Sequence, residues 1–245
     1  RVSEEEWQMR VDLAACYRLL AHYGWDDLLF THNSARIPGP DHHFLINPFG
    51  LKFEEITASS LIKIDCDGNK LMDSPYGYIR AGFTIHSAIH MNREDAVCVM
   101  HTHTMEGMAV SAQKHGLLML NQKSLCFYNR VAYHDYEGIA EALEERERLA
   151  EDLGNLNAMI LTNHGLMTVG ESVAHAFILH ARLQDACKLQ IMAMSGGAEL
   201  VTPSPEVCEH TAQQFEKNYS GGESARVQWD ALKRMLDNTN PGYDA

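Results

Sequence analysis

The chain has 245 residues, 45% of them hydrophobic and 22% charged, with a formal net charge of −13 at neutral pH. That length can bury a sizeable core in a soluble globular fold. The acidic balance sets nucleic acid and anionic membrane surfaces aside as partners, because both would repel it, and no apolar run reaches the roughly 18 residues of a membrane helix.

The opening "RVSEEEWQMR" is charged and amphipathic, unlike a signal peptide. Ser3 and Glu6 form the S-x-x-E pattern of a capping box. Trp7, Val11, Leu13, Ala14, Tyr17 and Leu20 then follow near-helical spacing as far as Gly24. "HFLINPFG" and "SLIKIDCDGN" read as short strands closed by turn residues. "AGFTIHSAIHMNRED" reads as a helix and "AVCVMHTHT" as a strand. "TMEGMAVSAQKHG" is a helix ended by Gly116, and "GIAEALEERERLAEDLG" a charged helix ended by Gly154. "NAMILTNHGLMTVG" is strand, tight turn, strand. A long helix over "SVAHAFILHARLQDACKLQIMAMSGG" and a last one over "ESARVQWDALKRMLDN" follow. No linker or repeat interrupts this alternation. It predicts one α/β domain over residues 1–245, with helices covering a central sheet. The continuous apolar runs "AVCVM" and "AMILT" suit strands covered on both faces. The six cysteines are scattered without a CxxC pair, and are expected to be reduced core thiols of a cytoplasmic protein.

Among 14 histidines, two arrangements stand out. Side chains alternate along a strand, so His101 and His103 point to one side, at a spacing that lets two imidazoles reach one metal ion. His164, beside Gly165 in the turn of "LTNHGLMTVG", is the best candidate for a third ligand. Three histidines with an open fourth position make a catalytic style of zinc site, although Co, Ni, Cu or Fe would accept the same donors. An HxH pair alone is weak evidence in so histidine-rich a chain. His42 and His43 read as loop residues, and His175 and His180 as packed or exposed helix residues. His86 and His90, four residues apart on one helix face, read more readily as structural than as ligands.

"HTHT" after a strand, with "NHGL" further on, resembles the class II aldolase/adducin family. The adducin-like branch is the nearer one, through "HFLINPFGLKFEEITASSLIKID", "AGFTIHSAIH", "VAYHDYEGIA" and "NHGLMTVGESVAHAF". The resemblance covers nearly the whole chain. It implies a three-layer α/β/α fold around a mostly antiparallel mixed sheet, assembled as a homotetramer with sites between subunits. It also implies zinc, or another divalent transition metal, on His101, His103 and His164.

The departures are equally informative. The family's sugar-phosphate aldolases place an acid/base glutamate four residues before the histidine matching His86; here that position is Gly82. Their phosphate-binding serine is Phe49 in "NPFG", and their phosphate loop is altered to "FTHNSAR". These changes argue against a sugar phosphate. The reaction expected is cleavage or formation of a C–C bond beside a metal-stabilised enediolate, on a small hydroxy or keto substrate without phosphate. A proton acceptor is still required, and Glu106, Tyr133, Tyr136, His134 and His86 are candidates. Arg36 and His32 are candidates for holding the substrate, Arg36 through a bidentate carboxylate contact, with Arg80 a weaker cation. The alternatives are a non-catalytic adducin-like assembly module and a metal-dependent decarboxylase.

Overall fold

The computed structural model describes residues 2–139, 144–219 and 221–245. Helix α1 spans Glu4–Tyr23. The Ser3 hydroxyl accepts from the Glu6 N–H at 3.1 Å, as the capping pattern predicts. The Glu6 carboxylate does not turn back to complete the box; it binds Arg10 and Lys63 instead. Gly24, at φ 68°, ends the helix in the left-handed conformation that suits glycine.

Strand β1 is His32–Arg36, a segment that the sequence reading treats as a loop. β2 (Phe44–Ile46) and β3 (Ile62–Ile64) follow. Then come α2 (Arg80–Asn92), β4 (Cys98–Thr102) and α3 (Met105–Ser111). α3 stops well short of Gly116. Two short elements, α4 (Gln122–Leu125) and β5 (Ala132–His134), have no counterpart in the sequence reading. α5 is Glu145–Leu153; residues 140–143 of the helix expected here lie outside the described residues. β6 (Ala158–Leu161) and β7 (Gly165–Gly170) are the expected strand pair. α6 (Val173–Ser195), α7 (Pro205–Tyr219) and α8 (Gly222–Thr239) complete the chain; α7 was not foreseen.

The strands form one seven-stranded sheet in the order β3-β2-β1-β4-β7-β6-β5. Only the β5–β6 pairing is parallel, so the sheet is mixed and mostly antiparallel, as expected. On one face Val99, Val169, Met167 and Met159 pack against Ile85 and Ile89 of α2 and Leu149 and Leu153 of α5. On the other, Cys98 and Met100 meet Leu13 and Tyr17 of α1, Phe177 of α6 and Trp229 of α8. Further along that face Ile160 and Leu166 meet Val110 and Leu183. Both faces are therefore apolar, which is why the central strands read as unbroken hydrophobic runs rather than alternating ones.

All six cysteines are free, five of them buried. No helix among the described residues is long and apolar enough to cross a membrane.

Candidate metal centre

β4 lies in the middle of the sheet, between β1 and β7. Its pleat separates neighbouring side chains. Thr102 turns to α6 and meets His180 Nε2 at 2.7 Å, while His101 and His103 share the other side. The tight β6–β7 turn supplies the third ring. There the His164 N–H donates to the Leu161 carbonyl at 3.0 Å, and Asn163 takes a left-handed φ of 55°, which asparagine tolerates.

The three rings converge. His101 Nε2 is 2.8 Å from His103 Nε2, which is 3.0 Å from His164 Nε2. Their candidate ligand atoms all lie within 4.8 Å of one another. The outer nitrogens fix what the inner ones can do. His101 Nδ1 is 3.0 Å from the Leu166 carbonyl, which can only accept, so Nδ1 carries the proton and Nε2 a lone pair. His103 Nδ1 is held the same way by Asp27 Oδ2 at 3.0 Å. The His101 lone pair thus meets the inner nitrogens of the other two rings at close range, an arrangement that a positive centre among them satisfies. Carbonyl or carboxylate support on the outer nitrogen is the usual arrangement around metal-binding histidines, and the donor set fits a divalent metal.

Electrostatics favour the same state. Burial, then the neighbouring His164 and His103, push His101 well below the ordinary imidazole range. Burial, with His103 and His134 beside it, lowers His164 to about 4. Neutral rings at neutral pH are the form that ligates. Gly165 keeps the space clear: a Cβ there would lie 3.4 Å from both the His101 and His103 rings and would collide with the Thr102 carbonyl.

The remaining candidates separate. His32 pairs across the sheet with His101, its ring 4.9 Å away. It fills the space beside Gly82, where a Cβ would come within 2.8 Å of the ring. His32 Nδ1 meets His86 Nε2 at 2.8 Å, so His86 lies behind His32 rather than in the triad. Arg36 is at the opposite end of β1, roughly 13 Å along the strand from His32. Its guanidinium donates to the His90 and Arg93 carbonyls, capping the C-terminus of α2. The two residues expected to hold the substrate are thus sent apart, His32 toward the triad and Arg36 to the far end of a buried strand, engaged with α2.

Glu106 is turned away as well, receiving the Gln184 Nε2 hydrogen bond at 2.9 Å from α6. The Tyr133 hydroxyl accepts from the Leu117 N–H at 3.0 Å, also away from the triad. His134 and Tyr136 do reach it, lining one small pocket with His164. His134 Nδ1 is 2.7 Å from Asp152, and the Tyr136 ring is 6.4 Å from that of His164. Arg80 forms the first turn of α2. Asp27 was missed by sequence reasoning; an acidic residue in "GWDDLLF" gives no periodic signal for its role.

Residues 11–191 match the family described as "Class II Aldolase and Adducin N-terminal domain". The chain belongs to that family. A Pseudomonas aeruginosa protein with the provisional name of an aldolase class 2 protein is 54% identical, across 99% of this chain and 94% of its own length. Rat alpha-adducin is 41% identical over 94% of this chain, which spans 33% of that protein's length. Among solved structures, an aldolase II superfamily protein from Pseudomonas syringae superposes with a TM-score of 0.96 at 52% identity, covering 100% of this chain and 98% of that one. The L-fuculose 1-phosphate aldolase of Glaciozyma antarctica gives 0.83 at 27% identity, covering 96% and 90%. The class II aldolase fold is thus common to catalytic relatives and to adducins.

Proposed function

We propose that the chain is a metal-dependent lyase of the class II aldolase type, with zinc or another divalent transition metal held by His101, His103 and His164. The observation that carries this reading is the convergence of three imidazole Nε2 atoms, with the outer nitrogens of His101 and His103 held from behind by Leu166 O and Asp27. When bound, such an ion stabilises the negative charge that develops on a substrate oxygen as a neighbouring C–C bond breaks or forms.

The chain's own residues set the rest. The neutral rings of His101 and His164 carry no positive charge of their own, so the triad accepts a cation without repelling it. Tyr136, more than half exposed, places a phenol beside His164, and the Asp152–His134 pair stands behind it. These are the groups best placed to hold or move a proton, whereas Glu106 and Tyr133 are engaged elsewhere. The substrate is read as a small hydroxy or keto compound without phosphate, because Phe49 packs on Phe30 with ring centroids 6.2 Å apart, an apolar pair where a phosphate would need donors.

Identity to alpha-adducin favours a second reading, an assembly module that keeps the fold without turnover. A screen of 2-keto acids with aldehyde acceptors decides between them. Turnover abolished by chelation and by Tyr136→Phe or His134→Ala supports the lyase. A metal-loaded chain silent across the screen favours the module.

A further inference from the structure

Behind the triad, the face of α2 turned to the sheet carries a line of buried hydrogen bonds. His32 Nδ1 meets His86 Nε2 at 2.8 Å, His86 Nδ1 meets Ser34 Oγ at 2.5 Å, Ser34 Oγ meets His90 Nε2 at 2.7 Å, and His90 Nδ1 meets the Ala96 carbonyl at 3.0 Å. All four side chains are buried. Among the described residues no carboxylate is a hydrogen-bond partner of theirs, and burial holds His86 and His90 far below their ordinary range, His90 at about 3, so the line is built of singly protonated rings.

The far end of the line then dictates every proton position. The Ala96 carbonyl only accepts, so His90 carries its proton on Nδ1 and accepts on Nε2. Ser34 must donate its hydroxyl hydrogen to His90, and therefore accepts from His86 Nδ1. His86 Nε2 is left as an acceptor and takes the proton of His32 Nδ1. His32 ends with a lone pair on Nε2, for which no hydrogen-bond partner occurs among the described residues. The line stops at a backbone carbonyl, so it gives a proton no exit; it is a clamp and not a conduit. The His32 ring lies against His101, yet its nitrogens fall outside the converging ligand group. Gly82 is what admits the ring to this position.

We propose that His32 is a substrate-binding residue: its Nε2 lone pair accepts a hydrogen bond from a hydroxyl of the molecule bound at the triad, and disfavours an anionic oxygen at that point. Ser34, His86 and His90 are positioning residues that act through it. The proposal rests on reading the triad as a metal-bound substrate site, and it names the substrate class as one presenting a neutral hydroxyl beside the metal-bound oxygens.

Two measurements test it. In long-range 1H–15N spectra of histidine-labelled protein without metal, His32, His86 and His90 carry their protons on Nδ1. In Ser34→Ala, His86 and His32 lose that preference while His90, still tied to Ala96, keeps it. A wild-type His32 protonated on Nε2, or no change in Ser34→Ala, overturns the clamp. In the second, glycolate and methoxyacetate are titrated into zinc-loaded protein by calorimetry. One has a hydroxyl to donate and the other does not. Glycolate is preferred, and His32→Phe cuts that preference roughly tenfold, the worth of one hydrogen bond. A His32→Phe chain that keeps its zinc and the full glycolate preference overturns the proposal alone. A wild-type chain that takes up no zinc overturns the metal reading and this proposal together.

Discussion

At the scale of single residues, two side chains outside the triad decide its character. Asp27 is almost half exposed, yet it orients His103 by holding Nδ1 at 3.0 Å. Replacing a carboxylate of this kind weakens metal binding by about 10–100-fold without removing a ligand. Asp27→Asn is expected to show that loss in a chelator competition, with the fold unchanged by circular dichroism. Unaltered affinity would mean that Asp27 is only a surface partner. Gly82 matters for the room it leaves. The sequence shows that a carboxylate is missing there, but not that a ring from another strand takes the space, because His32 and Gly82 meet only through the packing of α2 on β1. Gly82→Ala should displace His32 and lengthen its 2.8 Å contact with His86, as a crystal structure of the variant would show. A ring that stays in place would contradict that packing.

Among the elements, legibility followed polarity. α1, α2, α6 and α8 have apolar stripes or clear caps, and β4, β6 and β7 are hydrophobic runs, so each could be read directly. β1 could not, because "HNSAR" has the composition of a loop. It is a buried strand only because its polar groups find partners across the layers: Asn33 with Tyr17 on one side, Ser34 with His86 and His90 on the other. Such partners are distant in sequence and invisible to periodicity. The triad was legible because strand alternation and a His-Gly turn are local signals; Asp27, Ser34 and Asp152 are not. The same long-range logic holds α1 in place. Arg10, 2% exposed, pairs with Glu6 and donates to the carbonyls of Ala58 and Leu61. Arg10→Ala leaves Glu6 with Lys63 alone and two carbonyls without this donor. The expected cost is about 3–5 kcal/mol in urea unfolding, and a loss under about 1 kcal/mol, typical of an exposed ion pair, would contradict this account.

For the whole molecule, the buried imidazoles impose a pH limit. Burial lowers His90, with Arg36 adding to it, and His180, each to about 3. Unfolded, both would titrate near 6.5, so between those values the unfolded chain binds protons that the folded chain refuses. Their contribution to stability is complete above about pH 6.5 and falls as the pH drops toward 3. Each such group contributes a slope of up to about 1.4 kcal/mol per pH unit. Urea midpoints should therefore hold from pH 8 to 7 and decline steeply from 6 to 5; a flat profile would mean that these histidines are not buried neutral. Leu28, Phe30 and Met105 are exposed apolar side chains close in sequence to Asp27 and His103, and the exposed Phe49 packs on Phe30. With the family resemblance, they lead us to expect a tetramer. Light scattering should then give about four times the 27.5 kDa chain mass, and a monomer would contradict this expectation.

The central claim is that His101, His103 and His164 hold one metal ion. Elemental analysis of protein equilibrated with zinc and then freed of loose metal tests it most directly, in the native chain and in His101→Ala, His103→Ala and His164→Ala. The account predicts close to one zinc per native chain and near-complete loss in each variant while the fold persists. A native chain without metal, or a His164→Ala chain that keeps its full complement, would contradict it.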